Sequence, residues 1–259
     1  MKLSKQKRHR RILAELNTRQ AIRISELADL FQVTPETARR DIEELSQEGL
    51  LVRTYGGATL SSIAHEPPAR VRATANTEQR LLIARRTLQL IENASVLMID
   101  GGSTTTIFAT ELGVKLSGHV KKALTVITNS VDIARTLSPS SAIRIILCPG
   151  DFDAYENAVF GARTTDFLAE FHADAAVVSA GGISGTGITD VNSLAASVKR
   201  EMVRQSDRLI LLIDESKFGI NQMERICDLE VIDDIVVNKP LPASIQTAIE
   251  PLDVKVWQP

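Results

Sequence analysis

Two groups of residues in this 259-residue chain have types and spacings suited to chemistry. The first is Thr34-Pro35-Glu36-Thr37-Ala38-Arg39-Arg40, in which hydroxyls and two adjacent guanidiniums fall within two helical turns. Such side chains suit phosphate oxygens, and arginine also reads guanine O6 and N7. The second group is Asp100-Gly101-Gly102-Ser103-Thr104-Thr105, joined further along by Asn129, Gly150, Gly182, Lys199, Asp214 and Lys217. Glycines followed by hydroxyls at the start of a helix present N–H groups, side-chain donors and a favourable dipole to an anion. The spacing is neither GxGxxG nor the P-loop pattern, so it predicts phosphate binding without a dinucleotide or nucleoside triphosphate, and no cofactor is expected. The small, amide, carboxylate and cationic groups downstream suit a phosphorylated, polyhydroxylated small molecule.

The first group needs a helix. Thr34 can cap one, Pro35 stands at its first position, and Ala38, Ile42 and Leu45 form a narrow apolar stripe that leaves Glu36, Thr37, Arg39 and Arg40 outward. Gly49 can close this helix, and Leu50-Leu51-Val52 then read as a strand running to a turn at Gly56-Gly57, with Arg53 and Tyr55 alternating outward. Ahead of it Ser25–Phe31 is a one-face apolar helix capped by Ser25, separated only by Gln32-Val33-Thr34. A first helix from Ser4 to about Leu16 (Ile12, Leu13, Leu16) and a short strand at Ala21–Ile24, able to pair with the wing, complete a winged helix-turn-helix over residues 1–60. Its second helix would enter the major groove. Lys2, Lys5, Lys7, Arg8, Arg10 and Arg11 precede the first acid, Glu15, and can face phosphates.

Residues 61–77 contain Pro67-Pro68, show no sustained period and read as a linker. Residues 78–259 alternate helical patterns, the first at Glu78–Ile91, with apolar runs at Val96–Ile99, Leu124–Ile127, Ile143–Leu147, Ala175–Val178, Leu209–Ile213 and Ile235–Val237. Continuous β-branched runs are strands buried on both faces, so the fold class is α/β with a mainly parallel sheet. The polar loops follow those strands, where open α/β sheets bind ligands. Plainer readings stand beside these: an ordinary helical pair, a solvated charge run, a capped strand-to-helix turn, and a snorkelling surface lysine at Lys199. The wing and the clustering of polar loops argue past them.

The apolar fraction of 44% describes a soluble globular chain, and no run approaches the ~20 apolar residues of a membrane span. The basic start lacks an apolar signal core, so a cytoplasmic location and no membrane partner are expected. Cys148 and Cys227 are far apart and without His or Cys neighbours at metal spacing, which predicts two reduced core thiols and no metal site. Residues 1–60 hold 11 Lys and Arg against 8 Asp and Glu, and the remainder 19 against 24, so the basic excess lies with the helix-turn-helix.

With those residues in place the chain resembles the DeoR-type bacterial transcriptional regulators over essentially its full length. The resemblance is carried by RHRRILAEL, VTPETARRDIEELSQEGLLVRTYGGA, DGGSTTT, TNS, the GGIS and GIT pair and DESKF. It departs where the family often has His at Tyr55, Gly-Gly at Pro149-Gly150 and a carboxylate shortly before Lys199. The resemblance implies a sensor domain similar to ribose-5-phosphate isomerase. It further implies that Thr34, Thr37, Arg39, Arg40, Arg53 and Tyr55 face operator DNA, and that Asp100, Ser103, Thr104, Thr105, Asn129, Asp214 and Lys217 line an effector pocket. The expected protein is a repressor of a carbohydrate operon, a dimer or tetramer released from DNA by a phosphorylated sugar. The alternative is an isomerase-like enzyme with a DNA-binding appendage, for which Asp100, Asp174 or Asp214 would serve as base and Lys217 as cation. The absence of a lysine beside Gly181-Gly182 favours sensing without turnover.

Overall fold

The computed structural model describes residues 4–19, 21–47, 51–59, 72, 76–117 and 124–259. The chain divides into two compact units, residues 1–68 and 69–259. Most of the expected linker, and with it His65, lies outside the described residues, as do Gly49 and Leu50.

In the first unit α1 (Lys5–Arg19), β1 (Ala21–Arg23), α2 (Ile24–Phe31), α3 (Pro35–Gln47), β2 (Val52–Thr54) and β3 (Gly57–Thr59) follow one another. Thr34 caps α3, its Oγ1 accepting from Thr37 N at 3.2 Å, and Ala38, Ile42 and Leu45 are sealed in the core with Ile12, Leu16, Leu27 and Phe31. Gln32 turns the chain between α2 and α3 in the left-handed region, φ 52°. The antiparallel sheet has the order β1-β3-β2, so β1 does pair with the wing. Two local expectations are corrected. Helix α2 starts one residue before Ser25, with Glu26 reaching back to the Arg23 N–H. The wing turns at Tyr55-Gly56, where Gly56 adopts φ 89°, and Gly57 already belongs to β3, its missing Cβ admitting the Ile22 carbonyl.

The second unit is built on a seven-stranded sheet in the order β15-β14-β12-β9-β4-β5-β6. The strands are β4 (Val96–Ile99), β5 (Leu124–Thr128), β6 (Ile143–Leu147), β9 (Ala175–Ser179), β12 (Leu209–Leu212), β14 (Asp234–Val236) and β15 (Lys255–Trp257), and every pairing is parallel. Successive side chains leave opposite faces. Leu97, Ile99, Val126, Val177 and Leu212 pack with helices α4 (Thr77–Leu90), α5 (Ser103–Leu116) and α6 (Val131–Leu137). Met98, Ile127, Ala176, Val178 and Leu211 pack on the other face with α7 (Ala162–Leu168), α8 (Ser193–Arg204) and α9 (Ala243–Ile249). All six expected strands are present, but β6 is an edge strand with Arg144 and Leu147 exposed, and β15 was not expected. Trp257 on β15 donates Nε1 to Asp234 Oδ1 at 2.6 Å.

Two smaller antiparallel sheets join this layer: β7 (Asp151–Asp153) with β8 (Ala158–Phe160), and β10 (Gly182–Ser184) with β11 (Gly187–Asp190) and β13 (Glu224–Cys227). The GGIS and GIT segments are therefore mainly strands. No helix among the described residues is long and apolar enough to cross a membrane.

Candidate functional site

On α3 the expected DNA-facing residues separate by what else they touch. Thr34 and Thr37 bond each other, Oγ1 to Oγ1 at 2.9 Å, while Arg39 pairs with Glu36 at 2.7 Å. Arg40 is exposed and enters no ion pair among the described residues. Thr34, Thr37 and Arg40 line a cleft of about 800 Å³ with Lys5 and Arg8. On the wing Arg53 pairs with Glu43 of α3 at 2.7 Å, and Tyr55 stands fully exposed at the turn.

The basic run on α1 is partly neutralised. Arg8 grips Asp41 through Nε at 2.7 Å and Nη2 at 2.9 Å, and Lys5 pairs with Glu44 at 2.6 Å. His9 Nε2 lies 3.2 Å from Asp41. Possible ligand atoms of His9, Asp41 and Glu44 lie within 4.8 Å of one another, but the two cations already occupy the carboxylates, so the cluster pins α1 to α3. Lys7 and Arg10 remain exposed, and Lys2 lies outside the described residues.

In the second unit the chain runs β4, β5, β6 in one direction and then returns to place β9 on the other side of β4. The carboxyl ends of β4 and β9 are therefore the switch point where such sheets open a crevice. Asp100 follows β4 and Ser179 ends β9. Asp100 Oδ1 accepts from Ser179 N at 2.9 Å, and Lys199 Nζ lies 3.3 Å from Asp100 Oδ2 and 2.5 Å from Asp190 Oδ2. Asp100, Asp190 and Lys199 are each at least nine-tenths buried. Burial pushes the Asp100 carboxyl up, against the pull of Lys199 and the Ser179 N–H. Burial also pushes Asp190 up, but Lys199 and the Asn192 and Val191 N–H groups outweigh it and hold Asp190 below the usual carboxylate range. Two carboxylates around one ammonium thus have unequal proton affinities. Lys199 is consequently a buried partner of two acids and no snorkelling surface lysine.

Helix α5 begins beside this cluster. Gly102 is its N-cap in extended backbone with no side-chain cap, and its first intrahelical bond runs from Thr106 N to the Gly102 carbonyl at 2.9 Å. Ser103 and Thr104 are 7% and 6% exposed, and neither hydroxyl has a hydrogen-bond partner among the described residues. Thr105 is different: its hydroxyl donates to the carbonyls of Asp100 and Gly102 and shapes the turn. Asn129 is likewise committed to the scaffold, accepting from Gly101 N at 2.9 Å and donating to the Val159 carbonyl at 3.2 Å.

Beyond β12, Asp214 accepts from Ser216 N at 3.0 Å and caps the 3-10 turn Glu215–Lys217. Its other oxygen meets Arg80 Nε of α4 at 3.3 Å. Lys217 is half-buried in that turn. Two expected pocket residues prove to be close-packing glycines. A Cβ on Gly182 would fall 2.2 Å from the Ile220 carbonyl, and Gly150, at φ 152°, admits Thr164 Oγ1 and the Phe160 carbonyl. Neither lies within the polar contacts of Asp100, Lys199 or Asp214. The thiols of Cys148 and Cys227 are free, each pushed up to about 12 chiefly by burial.

Asp190, Ser179 and Arg80 were not among the expected site residues. Arg80 shares a helical face with Ile83, Ala84, Thr87 and Leu88, so the period of α4 carried a signal for its burial. Asp190 directly follows the GIT segment, but nothing local announces its pairing with Lys199 nine residues on.

A winged helix-turn-helix on the same chain as a polar cluster at a sheet's switch point is the architecture of a DNA-binding regulator with a small-molecule sensor. Residues 8–64 match the DeoR-like helix-turn-helix domain and residues 75–239 the DeoR C terminal sensor domain. The chain is 30% identical over 243 residues to the glycerol-3-phosphate regulon repressor of Escherichia coli (strain K12), covering 93% of this chain and 94% of that protein. It is 32% identical over 245 residues to the L-fucose operon activator of Haemophilus influenzae, covering 94% and 96%. The chain belongs to the DeoR family of transcriptional regulators, and its role is regulation rather than catalysis. Among solved structures it is similar to ribose 5-phosphate isomerase A from Methanocaldococcus jannaschii, with a TM-score of 0.42, 18% identity and 55% of each chain covered. It is also similar to eIF2B delta from Chaetomium thermophilum, with a TM-score of 0.43, 13% identity and 79% and 64% covered. At that distance neither likeness bears on activity.

Proposed function

We propose that this regulator represses a carbohydrate-utilisation operon as a dimer or tetramer and leaves its operator when a phosphorylated sugar or sugar derivative fills the second unit. The observation that carries the reading is the uncapped N-terminus of α5 with the hydroxyls of two largely buried residues, Ser103 and Thr104, that hold no hydrogen bond among the described residues. A helix N-terminus favours an anion, and two hydroxyls with donors to spare stand at this one, so a phosphate completes the bonding there. Asp100, Asp190 and Lys199 next to it supply acceptors and a donor for hydroxyls of the same molecule. The names of the relatives support the class: one is a glycerol-3-phosphate regulon repressor. The other is an operon activator, so the sign of regulation rests on proposal.

Occupancy releases DNA only if the effector binds the released conformation more tightly. The test is anisotropy titration of the full chain on labelled DNA from its own promoter, at fixed salt, against a panel of sugar phosphates. The reading expects one panel member to weaken binding at least tenfold in the wild type. In Ser103→Ala/Thr104→Val, DNA affinity should be unchanged and release lost. Release that survives in the double variant would place the effector elsewhere.

A further inference from the structure

Helix α4 begins at Thr77, directly after the interdomain segment, and its first turn sends a guanidinium into the sensor interior. Arg80 is 5% exposed and holds two things at once: Nε donates to Asp214 Oδ2 at 3.3 Å, and Nη1 donates to the backbone carbonyl of Arg72. Arg72 in turn pairs with Glu156 on the turn between β7 and β8. Asp214 is equally double-handed. While Oδ2 holds Arg80, Oδ1 caps the Glu215–Lys217 turn through the Ser216 N–H and hydroxyl. One carboxylate therefore joins a turn of the pocket to the guanidinium that anchors the end of the linker.

We propose that Arg80 is the positioning residue that couples effector occupancy to the linker, a proposal that rests on the pocket reading given above. A buried ion pair is a poor choice for stability alone, because apolar side chains of the same volume pack as well without the desolvation cost. An apolar pair, however, cannot hold a main-chain carbonyl, and Arg80 does. The effector's phosphate lies at the N-terminus of α5; its remaining oxygens, or inorganic phosphate standing in for them, are drawn to Lys217 and Ser216 and shift the Glu215–Lys217 turn and with it the capping Asp214. The same anion competes with Asp214 for the Arg80 guanidinium, which stays charged throughout. Either movement takes Nη1 from the Arg72 carbonyl and frees the linker at the sensor end.

The experiment is amide hydrogen exchange by mass spectrometry on the full-length wild type, Arg80→Lys, Arg80→Met and Glu156→Gln, without ligand and with inorganic phosphate as probe. Without ligand, Arg80→Met should speed exchange on the order of tenfold in peptides spanning 72–80 and 214–218, as loss of a charged hydrogen bond implies. Glu156→Gln should loosen only 72–80. Arg80→Lys keeps the charge but not the planar fork, which guards against simple unfolding of the methionine variant. With phosphate, the wild type should gain protection at 101–106 and change at 72–80, whereas Arg80→Lys should keep the first response and lose the second. An Arg80→Lys protein that still responds at 72–80 overturns the coupling. Absence of protection at 101–106 in the wild type overturns the pocket reading instead. The clamp is then decided by the ligand-free comparison, where wild-type exchange in Arg80→Met refutes it.

Discussion

Arg39 and Arg40 are neighbours of the same type with different freedom: Glu36 holds the first at 2.7 Å, while the second stands exposed beside Thr37 in the cleft. Arg40→Ala should therefore cost about 1–3 kcal/mol of specific operator binding, and Arg39→Ala less, by anisotropy at fixed salt. Unchanged affinity in Arg40→Ala would remove α3 from the interface. Asp100 and Asp190 make a second contrast. The folded state raises Asp100 above its ordinary 3.8, so Asp100 costs stability as pH rises through its raised value. Asp190 is lowered from 3.8, so its contribution is present above that value and is lost as pH falls through the lowered one. Asp100→Asn keeps an acceptor for Ser179 N and should melt higher relative to wild type as pH rises above about 4. A melting difference that is flat with pH would show that Asp100 titrates as an ordinary carboxylate. The sequence marked Asp100 and Lys199 by type but could not pair them, since the third member, Asp190, reaches Lys199 only once β11 and α8 are folded together.

The elements of the DNA-binding unit are held by side-chain bridges as much as by core. Asp41 of α3 is 3% exposed and gripped at two points by Arg8 of α1. Asp41→Asn should lower the stability of this unit by about 3 kcal/mol, with faster amide exchange in α1 and α3 and none of it in the sheet of the second unit. In the second unit Gly182→Ala drives a Cβ against the rigid carbonyl of Ile220 and should cost about 1–3 kcal/mol in thermal unfolding, as overpacking does. A neutral result would show that the segment at Ile220 gives way freely. The six expected strands were legible because each lies in a continuous apolar run, buried on both faces in all but the edge strand β6. The hairpins β7-β8 and β10-β11 and the edge strand β15 were not, being three or four residues long and, apart from β8, broken by polar or glycine positions. That is also why Gly182 was read as a pocket loop when it is the first residue of a packed strand.

For the whole chain, regulation is a coupling free energy and must be reciprocal. If an effector weakens operator binding by some factor, saturating operator DNA must weaken effector binding by the same factor. Calorimetric titration of the effector with and without operator measures that ratio, and unequal factors would mean that release is not a two-site linkage. Charge division between the units was readable directly from composition, and so was the two-part organisation. What holds the Arg72 carbonyl was not, because it rests on Arg80, whose own partner Asp214 lies 134 residues away. The fold also contains its own gauge of that contact. Trp257 is the single tryptophan, and the Arg86 guanidinium of α4 lies 4.6 Å over its ring, while Asp234 holds the indole N–H. Helix α4 carries both Arg86 and Arg80, so any displacement of its first turns alters what sits over the indole. The protein's own ultraviolet emission is thus an optical readout of helix α4, available in real time and without an attached dye.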